Sequence, residues 1–299
     1  MTYAEKVSAR VREAGNPVCV GLDPVLKKIP GNASAEERIK RFYSDMLDAM
    51  LARDLLPAAV KPNMAYYEGV SLGCLQVLQN LIQAYRDAGM LVVLDAKRGD
   101  ISSTSGAYAQ SAFKVFGADA VTAAPYMGID TIKPFQDVSQ GHGIYVLVRT
   151  SNPSAKDFQD LVVGQEGIPL YRKVAEKLAD WNDGNLGAVV GATAPKELRD
   201  LLAYWKGRGR EVPVLIPGIA ISGVSGGQTG SVAEVYQAIR DAESDASLHL
   251  INSSSGINYA YEKYSGLSPA EASVTALEEL CEEIARFAPS APSAPELEA

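Results

Sequence analysis

Histidine and cysteine are scarce in this chain: His142 and His249 on one side, Cys19, Cys74 and Cys281 on the other, in 299 residues. Two histidines exclude a poly-histidine metal centre and leave little room for a serine–histidine–aspartate triad. The cysteines are odd in number and lack metal-like spacing, which points to a reduced, cytosolic setting rather than a disulfide framework. Positive charge is also short, 28 Lys+Arg against 36 Asp+Glu, for a net charge of −8. A sequence-independent nucleic-acid binder needs a basic footprint, so no nucleic-acid partner is expected. A small anion is a different matter, because a few focused cations or backbone amides hold one. No run approaches the roughly 18 apolar residues of a membrane helix. The opening stretch MTYAEKVSARVREAG reads as an amphipathic helix without an apolar signal-peptide core. The expectation is a cytoplasmic protein without membrane contact, whose chemistry must use Lys, Asp, Glu, Ser or Tyr.

What the chain does have is 47% apolar residues, enough for a large core, arranged in short β-branched runs bounded by Gly, Pro or Asp. Eight such runs are expected as strands: 17–24, 57–63, 91–100, 120–126, 143–151, 187–193, 213–219 and 248–257. Most are almost continuously apolar, as strands buried on both faces of a parallel sheet must be. Helix-period segments separate most of them, and a last one follows the eighth run. That alternation predicts an α/β chain folded as a single (β/α)8 TIM barrel over residues 1–287. A doubly wound sheet is the other architecture, but no GxGxxG follows the first run. Residues 288–299, APSAPSAPELEA, read as a disordered Pro/Ser/Ala-rich tail.

In such a barrel, chemistry sits at the carboxyl ends of the strands. Those ends carry Asp23, Lys61, Asp95, Lys97, Asp100, Ser151, Pro217 with Gly218, and Ser253 to Gly256. Charges ending otherwise apolar strands are expensive unless they pair. Residues i and i+2 of a strand share a face, so Asp95 and Lys97 are expected to point together into the mouth. Lys61 ends the neighbouring strand, and Asp100 follows a turn at Gly99. Two carboxylates about 4 Å apart repel by about 4 kcal/mol at an effective dielectric near 20, so interleaved lysines keep both ionised. A lone DxK at a strand end is more often a surface ion pair; Lys61 beside it argues for a site.

The segments GLDP (21–24), VKPNMAYYE (60–68), DAKRGDI (95–101), TAAPYMGIDTIKPF (122–135) and VLVRTSNPSAKDFQD (146–160) together resemble the orotidine 5′-phosphate decarboxylase family, in its longer bacterial form. The likeness runs from GLDP to the eighth run. It implies a lyase without cofactor or metal, converting orotidine 5′-monophosphate to uridine 5′-monophosphate and carbon dioxide in pyrimidine synthesis. Lys97 would protonate C6, Asp95 would face the scissile carboxylate, and Lys61 and Asp100 would complete the charge network. Asp23 and Lys61 would contact ribose hydroxyls, and Ser151 would hydrogen-bond the pyrimidine. The resemblance also implies a homodimer, with Asp100 and Thr104 crossing its interface.

Two departures stand out. The family's phosphate-binding Gln is displaced in the longer seventh loop PGIAISGVSGGQTGS, where Gln228 is the local candidate beside Pro217 and Gly218. In INSSSGI, Ser255 occupies the place of the family's Arg, leaving Ser254, Ser255 and Gly256 as neutral donors. Either these hold the phosphate, or the chain is a divergent paralogue that binds or converts a related nucleoside or nucleotide. A metal-dependent sugar-phosphate decarboxylase or synthase of the same barrel superfamily is the remaining alternative. Among the lesser signals, Tyr66 and Tyr67 read equally as cleft lining or as filler beneath a loop, and the histidines and Cys19 read as structural.

Overall fold

The computed structural model describes residues 1–139, 141–221 and 230–287. Eight strands form a closed barrel: β1 (Val18–Leu22), β2 (Ala59–Pro62), β3 (Leu91–Arg98), β4 (Ala120–Ala123), β5 (Gly143–Arg149), β6 (Leu186–Val190), β7 (Val214–Pro217) and β8 (Leu250–Ser253). Every pairing is parallel, and β8 closes the cylinder on β1 in the register Val18↔Ile251. Each expected run therefore contains a strand, usually shorter than expected, because pairing stops where the chain turns outward to form the mouth.

The helices lie outside. The expected ones appear, starting with α1 (Tyr3–Ala14), whose Thr2 and Glu5 form a capping box. Of the helices longer than one turn, one was not expected, α5 (Ile129–Ser139) between β4 and β5, with the longer helices α2 to α4 being Ala35–Ala52, Leu72–Asp87 and Ser102–Gln110. Pro134 lies inside α5. A proline there removes one helical hydrogen bond and reads as a breaker in sequence. The turn of buried residues Thr131, Ile132 and Phe135 supports the helix nonetheless. A small antiparallel hairpin, Val162–Val163 with Ile168–Pro169, was also not expected. It is too short to carry a periodic signal.

Alternation along the strands sorts the core into two zones. Val18, Val20 and Leu22 face the helices, whereas Cys19, Ala59, Val93, Ala120, Tyr145, Val189, Leu215 and Leu250 form an interior layer with Tyr3, Val7 and Val11 of α1. Tyr3 seals the floor, edge-on to Tyr145 at 5.6 Å between ring centroids. Two residues further along each strand comes the next inward position, and there the composition changes. Ala59 gives way to Lys61, Val93 to Asp95, Ala120 to Thr122, Leu215 to Pro217 and Leu250 to Asn252. An apolar layer thus supports a polar one at the mouth.

Candidate active site

The polar layer centres on Asp95, which is 6% exposed. Its Oδ2 accepts from Lys61 Nζ at 3.0 Å, and its Oδ1 accepts from Lys97 Nζ at 2.7 Å and from Thr122 Oγ1 at 2.8 Å. Burial alone would raise the Asp95 carboxyl, but the Lys61 and Lys97 ammonium groups override it and hold it well below the carboxylate range. Burial would lower Lys61 in turn, yet Asp95 and Asp23 raise it above the ordinary lysine value. The pair is thus ionised on both sides. Lys61 is 6% exposed in its side chain and Lys97 is 49% exposed. One ammonium is sealed in the site and the other opens to solvent.

Asp95 and Lys97 do meet, as expected, but not through regular strand alternation. The β3–β4 register shifts between Leu94 and Arg98, and Lys97 adopts a left-handed backbone with φ +45°. The i, i+2 rule fails where a bulge intervenes. What joins the two residues is the bulge, which brings the Lys97 ammonium back onto the carboxylate.

A cavity of about 280 Å³ opens beside this cluster. It is just below the roughly 300–1,000 Å³ common for small-molecule sites. Asp23, Lys61, Tyr66, Pro217, Gly218, Asn252, Ser254, Ser255, Gly256 and Tyr259 are among its lining residues. Asp23 lines this space, and its buried Oδ1 has no hydrogen-bond partner among the described residues, while its main-chain oxygen accepts from Tyr259 Oη at 2.8 Å. An unsatisfied buried carboxylate oxygen is an acceptor waiting for a donor such as a hydroxyl. Gly21 makes room at the same end: a Cβ there would fall 1.9 Å from Ser254 Oγ. The two tyrosines divide, Tyr66 lining the cavity and Tyr67 lying buried, its hydroxyl donating to the Leu22 carbonyl at 3.1 Å.

Other expected site residues stand apart within the chain. Asp100 accepts from Ile101 N at 2.7 Å and joins neither lysine, and Thr104 is exposed on α4. Ser151 lies past the end of β5 and against Gly191, and does not line the cavity. Gln228 lies outside the described residues. Three polar groups escaped the sequence reading: Thr122, Asn252 and Tyr259. Thr122 and Asn252 carry a usable signal, since each lies two residues beyond an inward apolar residue. The histidines and Cys19 are structural as expected: His142 stacks on Phe113 at 4.6 Å, while His249 and Cys19 are fully buried.

Comparison with known proteins agrees with this geometry. Residues 16–262 match the profile described as "Orotidine 5'-phosphate decarboxylase / HUMPS family". The chain is 40% identical over 229 residues to the orotidine 5′-phosphate decarboxylase of Thermomicrobium roseum, covering 75% of this chain and 77% of that one. Among solved structures, Leishmania donovani OMP decarboxylase superposes with a TM-score of 0.74 at 33% identity, covering 96% of this chain and 98% of its own. Leishmania donovani UMP synthase gives a TM-score of 0.75 at 34% identity over 96% of this chain, which spans only 56% of that longer protein. A Lys–Asp–Lys cluster around a buried carboxylate at the mouth of an eight-stranded cylinder and a profile match over most of the sequence lead to one conclusion: the chain belongs to the orotidine 5′-phosphate decarboxylase / HUMPS family.

Proposed function

We propose that this protein decarboxylates orotidine 5′-monophosphate to uridine 5′-monophosphate and carbon dioxide in de novo pyrimidine nucleotide synthesis, in the cytoplasm and without metal or cofactor. The observation that carries the reading is Asp95 held ionised between two ammonium groups beside a cavity. Among the described residues no group of three His, Cys, Asp or Glu side chains is placed to hold a metal ion. The lysines, by contrast, suit charge stabilisation.

In the reaction the C6–carboxylate bond breaks and its electron pair stays on C6 in the plane of the ring, where no π-system absorbs it. A preorganised ammonium is the partner for that charge. Lys97 donates a proton from Nζ to C6 as carbon dioxide leaves, so charge and protons balance. Asp95 keeps both lysines protonated before substrate arrives. Asp23, through its Oδ1, and Lys61 receive the ribose hydroxyls, and Ser151, past the end of β5 and outside this cavity, receives the pyrimidine where the ligand extends beyond it. The Ser254 and Ser255 hydroxyls, with the Gly256 N–H, Pro217–Gly218 and Gln228, hold the phosphate in place of a guanidinium. Asp100 and Thr104 act across a homodimer interface, which accounts for their separation from the cluster within one chain. The barrel of residues 1–287 is the catalytic domain, followed by the tail 288–299.

The test is turnover of orotidine 5′-monophosphate by the wild type and by Lys97→Ala, with binding of uridine 5′-monophosphate measured in parallel. Loss of roughly 10³-fold or more in kcat with binding retained is expected for a proton donor. Orotidine without its phosphate should be a far poorer substrate. A wild type that binds the nucleotide without turnover would instead mark a binding paralogue.

A further inference from the structure

We propose that Thr122 is a positioning residue for the proton donor: its hydroxyl closes a ring of hydrogen bonds that fixes both the backbone and the ammonium of Lys97. The inference rests on the decarboxylation reading for what Lys97 does. The bonding that supports it does not depend on that reading.

Strand register creates the need. Leu94 pairs with Val121 and Arg98 with Ala123, so four steps along β3 run against two along β4. The bulged residues lose regular ladder partners, and Thr122 is the residue of β4 opposite that gap. Its side chain points inward and the residue is 1% exposed.

Chemistry fixes the direction of every bond. A carboxylate only accepts, so the single Thr122 hydroxyl proton goes to Asp95 Oδ1 at 2.8 Å. The remaining lone pairs of Oγ1 accept the Lys97 N–H at 2.9 Å. Lys97 Nζ then donates to the same Asp95 Oδ1 at 2.7 Å. The ring runs from the Lys97 amide through the hydroxyl and the carboxylate to the Lys97 ammonium. Both ends of one lysine are referred to a single oxygen atom.

A left-handed backbone at a non-glycine residue persists only where its surroundings over-determine it. Lys97 has φ +45°, and its side chain is half exposed, so packing does little to hold it. The hydroxyl holds the main chain where the side chain has freedom. Without it, the Lys97 N–H and the buried Asp95 each lose a partner, and the ammonium is free to drift from the carbon it must protonate.

The test compares kcat and KM for orotidine 5′-monophosphate, and affinity for uridine 5′-monophosphate, among wild type, Thr122→Ser, Thr122→Val and Thr122→Ala. Valine keeps the volume and removes the hydroxyl. Its kcat should fall roughly 100-fold, the scale of an ångström misplacement. KM and product affinity should move by less than about 3-fold, and serine should restore kcat to within about 5-fold of wild type. A global packing role would not give that split or that rescue. If Thr122→Val does not fold, Thr122→Ala, which cannot clash, carries the same comparison. The proposal is overturned if the hydroxyl-free variant keeps kcat within about 3-fold of wild type, or if serine is as impaired as valine. Absence of turnover in the wild type would sink the functional reading instead, so the two failures are distinct.

Discussion

Lys61→Met is the sharpest probe of the charge cluster. Methionine approximates the length of the lysine but removes its ammonium, leaving Asp95 Oδ2 without the donor that sits 3.0 Å away. Both partners are about 95% buried, at 5% and 6% exposure. Breaking a buried pair by removing one member costs about 3–5 kcal/mol when the surviving charge is left uncompensated, and because the Lys97 ammonium still sits 2.7 Å from Asp95 Oδ1 the low end, about 3 kcal/mol, applies. For a chain of this size each kcal/mol is worth about 2 °C or slightly more, so the melting temperature should drop by about 6 °C at pH 7. The double variant with Asp95→Asn should lose less than the sum of the two single variants, since the stranded charge is gone. The pH dependence has a definite sign. Asp95 is held below its unfolded value, so its contribution is present above about pH 4 and fades as pH falls toward the depressed folded value. Lys61 is raised, so its contribution is present below about pH 10 and fades as pH climbs through the raised folded value. The Lys61→Met deficit should therefore narrow below about pH 4. Thermal unfolding followed by circular dichroism reads all of this. A pH 7 deficit under about 2 °C, or strict additivity in the cycle, would refute the reasoning.

Gly21→Ala places a methyl 1.9 Å from Ser254 Oγ and 2.6 Å from Ser254 Cβ, so it should cost about 1–3 kcal/mol and weaken nucleotide binding. Adding Ser254→Gly should recover much of both losses in calorimetry; no recovery would show that the strain lies elsewhere. His249 is pushed down to about 4 by burial, with Nδ1 accepting from Val214 N at 3.3 Å and Nε2 3.0 Å from Ser244 Oγ. Between pH 6.5 and 4 the unfolded chain takes up a proton that the folded chain refuses, so acid should remove about 3 kcal/mol of stability. His249→Asn should flatten that slope in urea titrations at pH 7 and 4.5, and an unchanged slope would exclude His249 as its source.

Sequence patterning carried the barrel well, because continuous apolar runs and their spacing report burial on both faces. It failed at α5, where Pro134 reads as a stop although tertiary packing of Ile132 and Phe135 supports a helix through it. In the site, Lys61, Asp95 and Lys97 were legible as charges at the ends of apolar strands. The way Lys97 reaches Asp95 was not, since a bulge has no signature in residue type unless glycine marks it. Thr122 could be placed at the mouth by its two-residue spacing from Ala120, but its role as a partner of Lys97 appears only once the neighbouring strand slips out of step. Asp100 and Thr104 show a different limit. Motif spacing places them near the site, yet within one chain Asp100 accepts only from the neighbouring Ile101 N among the described residues and Thr104 stays exposed.

The stacking of a charged tier on an oily one also limits how such a cylinder can change. Two residues along any of five strands carry the interior from hydrocarbon to hydrogen-bonding groups. Replacing a residue of the upper tier alters reactivity while the floor stays closed. Deleting one residue from β2 below Lys61 would rotate that ammonium outward into the helical jacket and put Pro62 in its place at the mouth. New chemistry in this framework is therefore reached by exchanging side chains at fixed heights, not by sliding the staves.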